Sequence, residues 1–251
     1  MAVHWGGRGP GHMSRRSAAQ SSSPPAPSFD PATLFAAAQP GVWYDVQDLA
    51  TMWQDTAGTI PAAVGSAVAR IDDKSGNARN ATQGTGSLQP ILRDDGFRKY
   101  LELDTADDRL SFTFSGMTAD SDVAMACRRT SAASQILAKS LGTLGVADSG
   151  SGSAATGGAG SPAYIVDGVA VPGGTAATRA QLYTAWPIDV NTLVEADGAG
   201  LNTWNVATTL PKASTCGVSR IYGFLARAGG FSADERADLQ QYYAQIMGIT
   251  I

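Results

Sequence analysis

Three blocks of this chain, taken in order, leave little room for anything but a turn-rich β protein. The first, IDDKSGNARNATQ, runs from Ile71 to Gln83; the second, LELDTADDRLSF, begins at Leu101; the third, RIYGFLARAGGFSADERADLQQYYAQIMGI, begins at Arg220. In the first, Asp73 and Asn77 can bond their own backbone two residues on, and Gly76 can take the positive φ that other residues avoid, so the block reads as a turn. In the second, Leu101 and Leu103, then Leu110, Phe112 and Phe114, line one face of two extended segments joined across Asp107 and Asp108. The third reads as a strand followed by one helix. Ser232 and Glu235 have the spacing of a capping box, Gly248 can stop the helix, and Leu239, Tyr242 or Tyr243, and Ile246 form one apolar stripe for packing against a sheet.

The rest of the chain fits that frame. A length of 251 residues suits one large β domain, and only 16% of residues are charged. A net charge of −4 argues against a nucleic-acid partner, which wants a basic face. No apolar run approaches the roughly 20 residues of a membrane span, and the amino end lacks the apolar core of a Sec signal peptide. Cys127 and Cys216 are the only cysteines. Both fall in segments read as buried strands and are expected as free thiols, as suits folding in a bacterial cytoplasm.

Further strands are expected at Ala67 to Ile71, Tyr100 to Leu103, Arg109 to Phe114, Asp122 to Arg128, Gln135 to Leu137 and Ala163 to Val166. Others are expected at Val169 to Val171, Arg179 to Trp186, Asn191 to Ala196, Asn202 to Ala207 and Gly217 to Ala226. Asp167 and Gly168, between the apolar runs YIV and VAV, are the strongest hairpin signal. The tract Ala147 to Ser161 reads as a long glycine/serine surface loop. Asp30 and Pro31 have the character of an N-cap and first residue of a short helix over Pro31 to Ala38, and Pro40 and Gly41 would stop it. A second short helical or irregular stretch carries Leu49, Met52 and Trp53; Trp43 and Trp53 are assigned to the core.

Residues 1 to about 30 have almost nothing to bury. They read either as a tail or as an assembly arm ordered against a neighbouring subunit, with Trp5 as the plug and Arg8, Arg15 and Arg16 pairing acidic groups. The expected division is residues 1–39 as arm and linker and residues 40–251 as one β domain.

Trp43, Tyr44 and Asp45, then Asp73 to Asn77, then Asp107, Asp108 and Leu110, then Ala233 to Arg236 with Leu239, make up an ordered set. That set resembles the concanavalin A-like lectin/glucanase (laminin G-like) jelly-roll domains of bacteriophage virion proteins and bacterial surface proteins. The resemblance covers about residues 40 to 250. It implies an all-β jelly-roll β-sandwich with an extended N-terminal arm and a C-terminal closing helix. It also implies a non-catalytic virion surface component, such as a head or tail decoration, fibre or spike subunit. Its expected partners are other virion proteins, further copies of itself and host-surface glycans, with no membrane. A bacterial surface adhesin is a rival that would require export.

Such domains also include enzymes, so the carboxylates matter. Glu102, Asp104 and Asp107 in E-L-D-T-A-D resemble the active-site strand of the glucanases of this fold, where two carboxyl groups work together on one strand face. Asp107 departs from that pattern by standing where the general-acid glutamate would be, and the D-D-x-L reading makes the aspartates a turn instead. His4 and His12 both lie in the amino-terminal segment, so serine or cysteine nucleophiles elsewhere lack an imidazole base. Phosphate-loop, C-x-x-C and H-E-x-x-H motifs are missing. No cofactor is expected, with calcium the one ion the resemblance allows; its oxygen ligands would be Asp72, Asp73, Asn77 and Asn80. Glycan contacts are expected, if anywhere, from Tyr183 and Trp186, taken to share a strand, and from Trp204 between Asn202 and Asn205.

Overall fold

The computed structural model describes residues 1–2, 28–105, 107–113, 120–130, 138–140, 145–146, 162–198, 207–209 and 218–251. The arm residues Trp5, Arg8, Arg15 and Arg16, the expected strand Gln135 to Leu137, the tract Ala147 to Ser161, and Phe114, Asn202, Trp204, Asn205 and Cys216 lie outside the described residues.

The described residues form two antiparallel sheets. Eight strands make the first: β1 (Gly41–Asp45), β5 (Ile91–Asp94), β6 (Lys99–Glu102), β8 (Asp122–Arg129), β11 (Ala163–Val166), β12 (Val169–Ala170), β13 (Asn191–Asp197) and β15 (Val218–Arg227). The spatial order is β12-β11-β13-β8-β15-β6-β5. The ten-residue β15 pairs with β8 along one edge, while its other edge is shared: β1 takes Gly223 to Arg227 and β6 takes Arg220 and Ile221. Seven short strands make the second sheet: β2 (Met52–Trp53), β3 (Arg70–Ile71), β4 (Ala81–Thr82), β7 (Ser111–Thr113), β9 (Ala138–Ser140), β10 (Gly145–Val146) and β14 (Ala207–Thr209).

The two sheets face each other across one apolar cluster, to which β1, β8, β13 and β15 contribute Tyr44, Met125, Val194 and Phe224, and the second sheet contributes Met52, Ile71, Ala81 and Phe112. The period of two explains the sequence of β8. Val123, Met125 and Cys127 point between the sheets, and Ala124 and Ala126 point outward into a second cluster. That outer cluster is covered by the carboxyl-terminal helix α2 (Ala233–Met247) through Leu239, Tyr242, Tyr243 and Met247, and by 3-10 turns over Pro31–Ala38 through Leu34 and Phe35. Small residues let the helix approach closely: a Cβ on Gly223 would lie 2.6 Å from the Tyr243 ring. Burial on both faces is why these strands read as nearly continuous apolar runs.

Local punctuation folds as expected. Ser232 and Glu235 form a reciprocal capping box, and Gly248 ends α2 with φ +63°. Asp167 and Gly168, at φ 48° and 78°, make the two-residue turn between β11 and β12. Asp30 caps the Pro31–Ala38 segment, which is broken at Ala36 and Ala37. Cys127 is a buried thiol outside any disulfide.

Three expectations are corrected. Arg179 to Trp186 is not a strand: Arg179–Ala185 is helix α1, started by a capping box between Thr178 and Gln181. Trp53 is half-buried rather than core, because its indole N–H donates to Asp72 at 2.7 Å. The helix stripe also shifts by one position, with Met247 buried where Ile246 was expected and Ile246 packed at its margin.

Candidate functional site

The carboxylates of E-L-D-T-A-D are dispersed by the local fold. Glu102 accepts from Arg93 Nε at 2.6 Å, whereas Asp104 and Asp107 are exposed in the loop that follows β6. The buried member is the neighbour Asp108, 1% exposed, which accepts from the backbone N–H groups of Asp104 and Thr105 at 2.8 and 2.9 Å and from the Thr105 hydroxyl. Partial burial and then the Asp108 carboxylate raise the Asp104 carboxyl above its ordinary value. The arrangement is an aspartate-stapled turn.

The D-K-S-G-N block is a second staple. Asp73 accepts from the backbone of Trp43 and Ser75 at 2.9 Å, from the Ser75 hydroxyl at 2.8 Å and from the Arg79 backbone at 3.0 Å. Asn80 accepts from the Asp73 backbone at 2.9 Å, and Asn77 donates to the carbonyls of Gln39 and Gly41 at 3.1 Å. Asp72 accepts from Arg70 Nε at 2.6 Å as well as from Trp53. Of the four side chains suggested for calcium, Asp73, Asn77 and Asn80 share one turn network while Asp72 is turned to Arg70 and Trp53, and each is engaged with protein groups. Lys74 bridges Asp45 and Asp48 at 2.9 Å each and sits over the Trp43 ring at 4.6 Å. Burial alone would lower the Lys74 ammonium, but its bonds to Asp45 and Asp48 more than reverse that and raise it.

A third polar group, under α2, has no counterpart in the sequence reading. Asp122 and Glu195, each 1% exposed, accept from Arg236 at 2.9 and 3.1 Å; Gln240 donates to Glu195 at 2.7 Å, and the backbones of Gly198 and Phe231 donate to Asp122. Burial raises both carboxyls despite Arg236. The sequence signal was slight: Asp122 opens a strand whose next five residues are apolar, and Glu195 follows Leu193 and Val194. Beside this group lies a shallow cleft of about 280 Å³ between the Asp167–Gly168 turn, α2 and Ile251.

Of the proposed glycan platform, Tyr183 and Trp186 belong to α1 and its end rather than to a strand, and Trp186 is 0% exposed, so it presents no open face. Both rings instead pack around Arg129, whose guanidinium carbon lies 5.4 Å from the Tyr183 ring centre and 5.8 Å from that of Trp186. Arg129 Nη2 donates to the Tyr183 carbonyl at 3.0 Å. Burial lowers the Arg129 guanidinium from its ordinary value. A buried arginine held by aromatic faces and a carbonyl can receive an anion; it cannot serve as a general base. Among the described residues no group of three or more His, Cys, Asp or Glu is placed to hold a metal ion.

No family model, no curated protein and no solved structure matches the chain.

Proposed function

We propose that this chain is a non-catalytic phage-type virion surface protein, a concanavalin A-like jelly roll held to the particle by its amino-terminal arm and presenting its sandwich toward host glycans. The observation that carries the non-catalytic part is the use made of the motif carboxylates. Of the catalytic candidates, Glu102 is tied to Arg93, and Asp104 and Asp107 lie exposed in a turn whose backbone Asp108 staples from inside. Retaining glycosidases need two carboxyl groups about 5 to 5.5 Å apart across a substrate, and an arginine-paired glutamate beside exposed turn residues is a poor candidate for that pair.

Support for the arm comes from where it joins the domain. Phe29, Leu34 and Phe35 pack on the outer cluster, and Ser28 and Phe29 sit beside Asp238, Gln241 and Tyr242 of α2. The segment before Ser28 therefore leaves from a fixed point on the outer face, as a tether requires. The virion assignment itself rests on the resemblance.

The test is mass spectrometry of purified particles released from cells that produce the chain, alongside polysaccharide digestion assays. Stoichiometric recovery in particles, with no digestion by wild type, supports the reading. Digestion that is lost in both Glu102→Gln and Asp107→Asn would replace it with the hydrolase.

A further inference from the structure

The cleft beside α2 brings together an open strand edge, an excess of carboxylate and the root of the amino-terminal arm. It lies between the Asp167–Gly168 turn and the helix, with a volume of about 280 Å³, and Ala237, Gln240 and Gln241 line its helix side. β12 ends its sheet, and no described strand pairs with its outer edge. Val169 pairs with Val166, and the Val171 N–H donates to the Tyr164 carbonyl, so by the alternation of an antiparallel ladder the N–H and C=O of Ala170 face outward. The outer edges of β5 and β2 are covered instead: Gly65 and Ser66 bond Leu92 in the first, and Ile60 and Ala62 bond Gln54 and Met52 in the second. An open edge is where an extended chain adds as another strand.

The chemistry of the cleft fits a basic segment. Asp167 Oδ1 accepts from the Leu193 N–H at 2.8 Å, and the second oxygen has no partner among the described residues. Gln240 donates its amide N–H to Glu195 and turns Oε1 to the cleft, 3.4 Å from where a Cβ on Gly168 would sit. Behind Gln240, the three carboxylates of Asp122, Glu195 and Asp197 share Arg236. Among the described residues no Lys or Arg lines the cleft, so its surroundings carry uncompensated negative charge.

The chain itself holds a segment of complementary charge. Residues 1–29 include Arg8, Arg15 and Arg16 and no Asp or Glu. The root of that segment is next to the cleft: Ser28 and Phe29 sit against Asp238, Gln241 and Gln245, and Gln241 lines the cleft as well. Pro24, Pro25 and Pro27 come directly before the root. Proline fixes φ and has no N–H, so this stretch cannot donate to the Ala170 carbonyl and resists the reversal that would return Arg15 and Arg16 to the cleft of the same copy. A neighbouring copy supplies them without that reversal.

We propose that the cleft between β12 and α2 receives the arginine-bearing amino-terminal segment of a second copy of this chain. The segment adds along the Ala170 edge, and its arginines meet Asp167, the Gln240 oxygen and the acidic group behind them. The assignment rests on the arm reading above and names the surface on which the arm docks.

The experiment is sedimentation velocity of the full chain from about 1 to 100 µM, at low and at high salt. Self-association that weakens at high salt is expected. Ala237→Lys changes an exposed helix position and Asp167→Asn keeps an acceptor for Leu193, so both are expected to melt with wild type and to associate at least roughly fivefold more weakly. Joint Arg8→Glu, Arg15→Glu and Arg16→Glu weakens association as much, and adding Ala237→Lys to that triple variant restores it beyond either parent. A monomer at every concentration overturns the proposal. So does association that the cleft and arm variants leave unchanged, or that the combined charge swap fails to restore. Particle recovery separates the two readings. Ala237→Lys recovered in particles like wild type, from a chain that stays monomeric in solution, sinks the cleft assignment alone. Absence of wild type from particles sinks the virion reading, and the cleft assignment then stands on the association measured in solution.

Discussion

Single side chains here mostly act on backbone, and that sets what their removal does. Asp108 holds two N–H groups and a hydroxyl from inside the fold, so Asp108→Ala leaves several donors unsatisfied. It is expected to cost about 2–4 kcal/mol in urea unfolding, with Asp108→Asn intermediate. An effect within about 0.5 kcal/mol would show that the loop finds other partners. Gly223→Ala tests the opposite, an added atom. Its Cβ would meet the Tyr243 ring at 2.6 Å, and Tyr243 is 1% exposed, so the helix must shift. A loss of about 1–3 kcal/mol is expected. At this scale the sequence was most legible where a signal is local. The Asp73–Ser75 bonds, the Asp167–Gly168 turn, Ser232 with Glu235, and Gly248 all act within a few residues of themselves. Arg129 and the Asp122–Glu195–Arg236 group were illegible because their partners lie far along the chain.

Elements were legible where they were long or capped and not where pairing alone makes them. The two-residue strands β2, β3 and β4 exist through their neighbours, so no period was there to read. Helix α1 was legible and was misread: T-R-A-Q at Thr178 to Gln181 has capping-box spacing, but the apolar content of Leu182, Tyr183 and Trp186 resembled a strand. Helix α2 offers a sharper test of its own cap. Arg227 links β15 to the Leu34 carbonyl, to Gly230 and to Glu235, and that contact with the capping bonds holds the Glu235 carboxyl down to about 2. A lowered carboxyl contributes stability that is complete above its ordinary value of about 4.5 and is lost as pH falls toward about 2. The raised Asp122 and Glu195 act in the other direction, since their burial penalty is largest at neutral pH and is relieved by protonation as pH falls. Glu235→Gln is therefore expected to melt lower than wild type at pH 7, by about 1 kcal/mol, and to converge with it near pH 2. A gap between the two melting curves that stays constant across that window would remove Glu235 from the acid response.

The molecule as a whole is a three-layered object, two sheets and an outer cover, and its cover comes from both ends of the chain. Leu34 and Phe35, 2% and 5% exposed, arrive from before β1, while Leu239, Tyr243 and Met247 arrive from α2. A chain beginning at Gly41 keeps every strand among the described residues but strips the amino-terminal half of the cover and the carbonyl that Arg227 uses. Burying Leu34 and Phe35 is worth roughly 1.5–3 kcal/mol each, so about 3–6 kcal/mol is lost in all. For a domain of this size that lowers the melting temperature by very roughly 10–20 °C. A chain beginning at Ser28 retains both side chains and is expected to melt within about 2 °C of the full length, because residues 1–27 have little to bury. The two truncations therefore place the boundary between fold and tether. If the shorter chain melts with the longer one, the Pro31–Ala38 segment belongs to the tether rather than to the domain. If the Ser28 chain falls as far as the Gly41 chain, the amino-terminal residues are part of the fold and the arm has no independent role. Only the pattern in which Ser28 onward is stable, and is at the same time missing from particles that contain the full chain, assigns folding to the sandwich and attachment to the arm.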